Sequence, residues 1–154
     1  MGEHPMSDTK TLYDEDFFAW TKEQAEVLRS AAQGGSNRML DWENLAEEIE
    51  GLGNSQRSAL GSHIMRIIQH FAKLEYSPAS ESRNGWRRSI RLARIQAQRR
   101  IEDNPSLKAE LCQLVEDEMR RGLEYAIADL EEHGEIDEVD ANALRRTRYT
   151  PEQI

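Results

Sequence analysis

At 154 residues and 17.8 kDa the chain holds material for one domain, because domains cluster near about 100–150 residues. With 38% hydrophobic and 32% charged residues and a mean hydropathy of -0.80 it is polar for a globular protein, though not so depleted in apolar residues as to be disordered. A net charge of -9 sets nucleic acid and anionic lipid at a disadvantage, and no run approaches the roughly 18 apolar residues that span a bilayer.

The opening Met1-Gly2-Glu3-His4-Pro5-Met6 lacks the basic and apolar regions of a secretory signal. Met6 stands where myristoylation wants Ser or Thr. The single Cys112 makes neither an internal disulfide nor a thiolate metal site. Together these features lead us to expect a cytoplasmic protein without a membrane partner.

Residues 1–12 read as a flexible leader. Helical periodicity begins near Asp14, with Phe17, Trp20, Gln24 and Val27-Leu28 at spacings of three and four, and Asp14, Glu15 and Asp16 at the helix start. Gly34-Gly35-Ser36-Asn37 marks a stop and turn. The second helix is capped by Asp41, with Asn44 in place of the Glu that would complete a capping box. Its apolar face runs Leu45, Ile49, Leu52, Leu60, Ile64, Ile67, Phe71, Leu74. Gly53 falls on that face, which implies either a close approach by another helix or a bend. The constant phase favours one long helix over two short ones meeting near Gly53-Asn54-Ser55.

Residues 77–85 form a loop by composition. A third helix follows, with Trp86, Ile90, Ala93, Ala97 and Ile101 on one stripe. Asn104-Pro105-Ser106 closes it, and Ser106 is positioned to cap a fourth helix carrying Leu107, Leu111, Leu114-Val115, Met119, Leu123, Ala126 and Leu130. Residues 135–154 are a C-terminal extension, either a short helix over 137–146 or a mobile tail. No segment alternates as a strand does, and no repeat of fixed period occurs. The expected fold is therefore all-α: an antiparallel bundle of four main helices over 13–134.

The ordered set Tyr13-Asp14-Glu15-Asp16-Phe17, Trp20, Asp41, Leu45, Glu47-Glu48-Ile49, Leu52-Gly53, Ser55, Leu60 and Ser62 resembles the bacterial family named domain of unknown function 29. The likeness continues through His70, Lys73, Tyr76, Pro78, Trp86, Ser89-Ile90 and Pro105-Ser106-Leu107, and so covers about residues 12 to 130. It implies an all-helical fold and transfers no activity or catalytic residue. The stretch after Gly134 has no counterpart in that pattern.

A Glu-rich bundle invites a carboxylate-bridged metal site, which needs Glu three residues before a His. The residues three before His4, His63, His70 and His133 are Met1, Leu60, Ile67 and Leu130, so that motif is missing. His63 and His70 share a flank but lie two turns apart, too far to chelate one ion unaided. They read as histidines at the border of the core. Glu43, Glu47, Glu48 and Glu50 suit the positive end of a helix and solvation, and Cys112 reads as a small buried hydrophobe. Nothing in the sequence asks for a catalytic residue, a cofactor or a metal ligand.

The order of charge is more informative than its sum. Residues 1–56 carry a net of -8, residues 57–100 a net of +8, and residues 101–154 a net of -9. Arg83, Arg87, Arg88, Arg91, Arg94, Arg99 and Arg100 fall within eighteen residues that hold no Asp or Glu. Two readings follow: the third helix pairs with acidic faces of its neighbours, or Arg87, Arg88, Arg91 and Arg94 form an exposed anion- or partner-binding stripe. The function expected is a small non-catalytic helical interaction module, with an acidic protein or a second copy as partner. Nucleic-acid or phosphate binding through the Arg stripe is the alternative, and a metal-dependent enzyme ranks last.

Overall fold

The structure is a computed structural model that describes residues 11–34 and 40–154. Residues 1–10 of the expected leader and most of the Gly34–Asn37 turn thus lie outside the described residues, while Thr11 and Leu12, read as leader, are the cap and first residue of a helix. Six α-helices follow in order: α1 (Leu12–Glu15), α2 (Phe17–Gln33), α3 (Trp42–Tyr76), α4 (Arg83–Asp103), α5 (Leu111–Glu132) and α6 (Glu138–Arg146). A 3-10 segment, Pro105–Glu110, joins α4 to α5. Among the described residues there is no strand, and no helix is long and apolar enough to cross a membrane.

The α3 helix is the spine. It is continuous over 35 residues, about 50 Å at the standard rise, and contacts α2, α4 and α5. The α2 helix lies antiparallel along its first half, where Arg29 reaches Glu50 at 2.6 Å and Glu43 at 3.4 Å. The α4 helix lies antiparallel along its second half, with Arg100 on Gln56 and the Lys73 ammonium 5.0 Å over the Trp86 ring. Because consecutive helices reverse, α5 runs parallel to α3. Arg57 meets Asp117 at 3.0 Å and Lys73 meets Asp129 at 2.9 Å along that seam.

Small residues set the spacing. A Cβ at Gly53 would stand 2.1 Å from the Thr21 hydroxyl oxygen, so close approach of α2 accounts for this glycine. The α2–α3 seam buries Ala25 and Ala46 with Thr21 and Phe18, one residue round from the expected stripe. Leu45 and Leu52 are consequently exposed, and so is Val27. Farther along, Leu60, Ile64 and Ile68 join Leu114, Met119, Leu123 and Ile127 in the main core. The α4 helix rests on a smaller cluster of Ile67, Ile90 and Ala93.

Two starts differ from expectation. The helix expected from near Asp14 is divided: the short α1 carries Asp14 in a capping box with Thr11, and Asp16 then caps α2 by accepting the Ala19 N–H at 2.9 Å. Ser106 does not cap α5; its N–H and hydroxyl both go to the Asp16 carboxylate, at 2.6 and 2.9 Å. Buried Asn104 completes this junction, accepting the Phe18 N–H and donating to the Arg100 carbonyl.

The C-terminal extension carries a helix and packs on the bundle. Gly134, at φ 64°, ends α5, and the Glu135 N–H returns to the Leu130 carbonyl, a left-handed stop that glycine favours. The α6 helix then buries Ala141 and Leu144. The arm 147–154 runs back between α4 and α5. Tyr149 packs on Phe71 and donates to Glu75 at 2.8 Å, and Ile154 touches both core clusters.

Candidate functional site

The α4 helix shows the core only one side, through Ile90 and Ala93 with half-buried Trp86, Ala97 and Ile101. The opposite side brings Arg88, Arg91, Leu92, Ile95 and Arg99 to the surface, all exposed, with Leu92 at 49% and Ile95 at 59% of full accessibility. Spacings of three and four put Arg88, Leu92, Ile95 and Arg99 on one row. Sequence reasoning missed the two aliphatics. The available signal was that Leu92 and Ile95 fall off the Trp86–Ile101 stripe and among the arginines.

The predicted residues separate. Arg88 and Arg91 have no hydrogen bond or ion pair among the described residues, and Arg87 makes only a long contact to Asn84 at 3.4 Å. Arg94 is drawn inward: its Nε and Nη2 donate to the main-chain oxygens of Ile154 and Gln153, and its guanidinium lies 5.3 Å from the Phe71 ring centre. Arg83, Arg99 and Arg100 complete the set of seven, and none of the seven is ion-paired to a carboxylate among the described residues. The acidic flanks spend their pairs elsewhere, on Lys22, Arg29, Arg57, Lys73, Arg121 and Arg145. Pairing of α4 with acidic neighbours is thus not how this bundle is held. The reason is geometric: Arg88, Arg91 and Arg99 lie on the side of α4 away from α3, Arg100 and Arg94 reach α3 only at Gln56 and the Phe71 ring, and the carboxylates line the α2–α3 and α3–α5 seams.

The other titratable candidates remain scattered. His63 and His70 are half-buried as expected, but the local hydrogen bonds expected of them are not met at His70, whose Nδ1 is buried without a partner among the described residues. Burial, reinforced by nearby Arg66 and by Arg100 or Lys73, pushes both imidazoles below their ordinary value. Among the described residues no group of three or more His, Cys, Asp or Glu is placed to hold a metal. Cys112, expected to be buried, is exposed. It lies on the wall of a groove of about 940 Å³ between α5 and the arm, floored by Val115, Met119 and Leu123 and edged by Arg120, Arg145 and Arg148. A second hollow of about 370 Å³ lies beyond Pro151. Neither was legible from sequence, because the arm that makes one wall arrives from the far end of the chain.

The architecture defines an all-helical class whose long central helix carries the others. A crystal structure of an alpha-helical protein of unknown function from Rhodospirillum rubrum has the same fold, with a TM-score of 0.64 and 22% identity over 97% of this chain and 95% of that one. No curated protein matches the chain. The model of the family described as domain of unknown function DUF29 matches residues 12–148, and the chain belongs to that family; residues 135–148, expected to fall outside the family pattern, lie within it.

Proposed function

We propose that this protein is a non-catalytic helical interaction module whose recognition face is the outer side of α4, and that its partner offers an acidic surface with aliphatic side chains. The observation that carries the reading is the uncompensated cationic row itself. In a chain with nine excess negative charges, Arg88, Arg91 and Arg99 have no carboxylate partner among the described residues and flank exposed Leu92 and Ile95. Guanidinium groups favour carboxylates through bidentate hydrogen bonds, and paired exposed aliphatics favour a protein surface over bases, which stack best on aromatic rings. Such a partner is a second copy of the chain or another acidic protein. The setting we propose is the cytoplasm, where a lone exposed thiol such as Cys112 stays reduced.

A photo-crosslinking side chain at Leu92 tests this in cells, with the adduct identified by mass. The reading expects a protein adduct that disappears in the double substitution Arg88→Glu, Arg99→Glu. Tight, steeply salt-dependent binding of single-stranded or duplex DNA, lost in the same variant, would instead give the face to nucleic acid.

A further inference from the structure

We propose that the groove between α5 and the C-terminal arm is a binding site for a free amphipathic anion, a straight aliphatic chain ending in a carboxylate or phosphate. Its volume of about 940 Å³ is that of a small-molecule site. Val115, Met119 and Leu123 stand on successive turns of α5, an apolar row about 12 Å long at the helical rise. The row does not end at the arm. Val115 and Pro151 line both hollows, and past Pro151 the walls are Ile64, Ala97, Ile101, Leu111 and Ile154. An unbranched chain fits that continuation, where apolar side chains outnumber polar ones.

The head is specified by the edge of the larger hollow. Arg145 is paired with Glu124 at 3.0 Å. Arg148 donates only to the main-chain oxygens of Arg145 and Thr147, so its charge is uncompensated. Arg120 has no partner among the described residues, and neither has Glu116 one turn earlier. Arg145 is compensated by Glu124 with Glu131 and Glu138 nearby, so the preference for an anionic head rests on Arg120 and Arg148, which line the groove against Glu116 alone. The smaller hollow adds no such preference: Lys108 and Glu102 offset each other, and Arg94 is held by the arm's own oxygens.

Exposed Cys112 on the wall is a built-in reporter. The full chain is titrated with decanoate and with decyl phosphate, below micelle formation, while the rate of thiol modification and the melting temperature are followed. Both anions should slow modification and raise the melting temperature. Decyltrimethylammonium, acetate and inorganic phosphate should do neither. Arg120→Glu should weaken binding about tenfold, and Glu116→Gln should tighten it, an effect that loss of fold cannot imitate. Equal protection by the cationic amphiphile, or unchanged affinity in Arg120→Glu, overturns the assignment. Co-sedimentation with phosphatidylglycerol vesicles that also shields Cys112 overturns it in favour of a membrane-borne ligand. Protection by an acidic helical peptide but not by decanoate overturns it in favour of a protein.

Discussion

Glycines that look alike in the sequence have opposite consequences. A methyl group at Gly51 would meet nothing within 4 Å, so Gly51→Ala should raise stability by about 0.5–1 kcal/mol through helix propensity alone. At Gly122 the same group would stand 2.7 Å from the Ile68 side chain and 2.9 Å from the Met65 carbonyl oxygen. A carbonyl cannot yield as a flexible side chain does, so Gly122→Ala should cost about 1–3 kcal/mol. Urea denaturation of the two variants checks the sign of each. Asn104 shows the polar counterpart. Its side chain, 2% exposed, satisfies one donor and one acceptor at the meeting of α2 and α4, and Asn104→Ala should cost about 1–3 kcal/mol by leaving the Phe18 N–H unpaired. The sequence marked Gly53 as either a close approach or a bend because it sits on an apolar face, and the contact with Thr21 decides for the approach. It left Gly122 unmarked and showed Asn104 only as part of a helix boundary, since the Met65 and Ile68 contacts of the one and the Phe18 N–H of the other lie far along the chain.

Elements were legible where burial is decided within one helix. The stripes of α4 and α5 match the buried residues closely, because both helices present large aliphatics to α3. The stripes of α2 and early α3 are displaced by one residue, because Ala25, Ala46 and Gly53 let the backbones approach and leave Leu45 and Leu52 outside. Periodicity rewards size, and this seam is built on its absence. The arm is an element only in the tertiary sense. Its last residues depend on the Arg94 guanidinium, which bridges the main-chain oxygens of Gln153 and Ile154. Arg94→Ala should therefore speed hydrogen exchange at the Gln153 and Ile154 amides, which bond only to Thr150, while exchange in α3 stays unchanged. Equal acceleration in both places would show that Arg94 supports the core and not the arm.

The whole molecule segregates its charge. Carboxylates meet Arg29, Arg57 and Lys73 at the seams while Arg88, Arg91 and Arg99 of α4 are kept outside, so the acidic total coexists with a cationic face. The same layout sets the response to acid. Burial holds His63 and His70 below the ordinary value of 6.5, so the unfolded chain takes up these protons first. Their contribution to stability is complete above that value and is lost as pH falls through it toward the folded values. Arg57 holds Glu110 below its ordinary 4.5. Asp129 is also below its ordinary value, since Lys73 and Gln69 outweigh its burial. These carboxylates fail only in a more acidic window. Melting temperature should thus drop as pH falls through 6.5, and the double substitution His63→Gln, His70→Leu should flatten that drop. A curve unaltered by the double substitution would assign the drop to other groups. What the sequence by itself determined is the all-helical class, the one long helix and the cationic third helix, because propensity, periodicity and charge order are local properties. Only the tertiary structure decided that the arginines go unpaired, that Leu92 and Ile95 lie beside them, and that the terminal arm makes a groove with α5. Those outcomes depend on which faces meet, and small residues and distant hydrogen bonds choose those faces without leaving a period in the sequence.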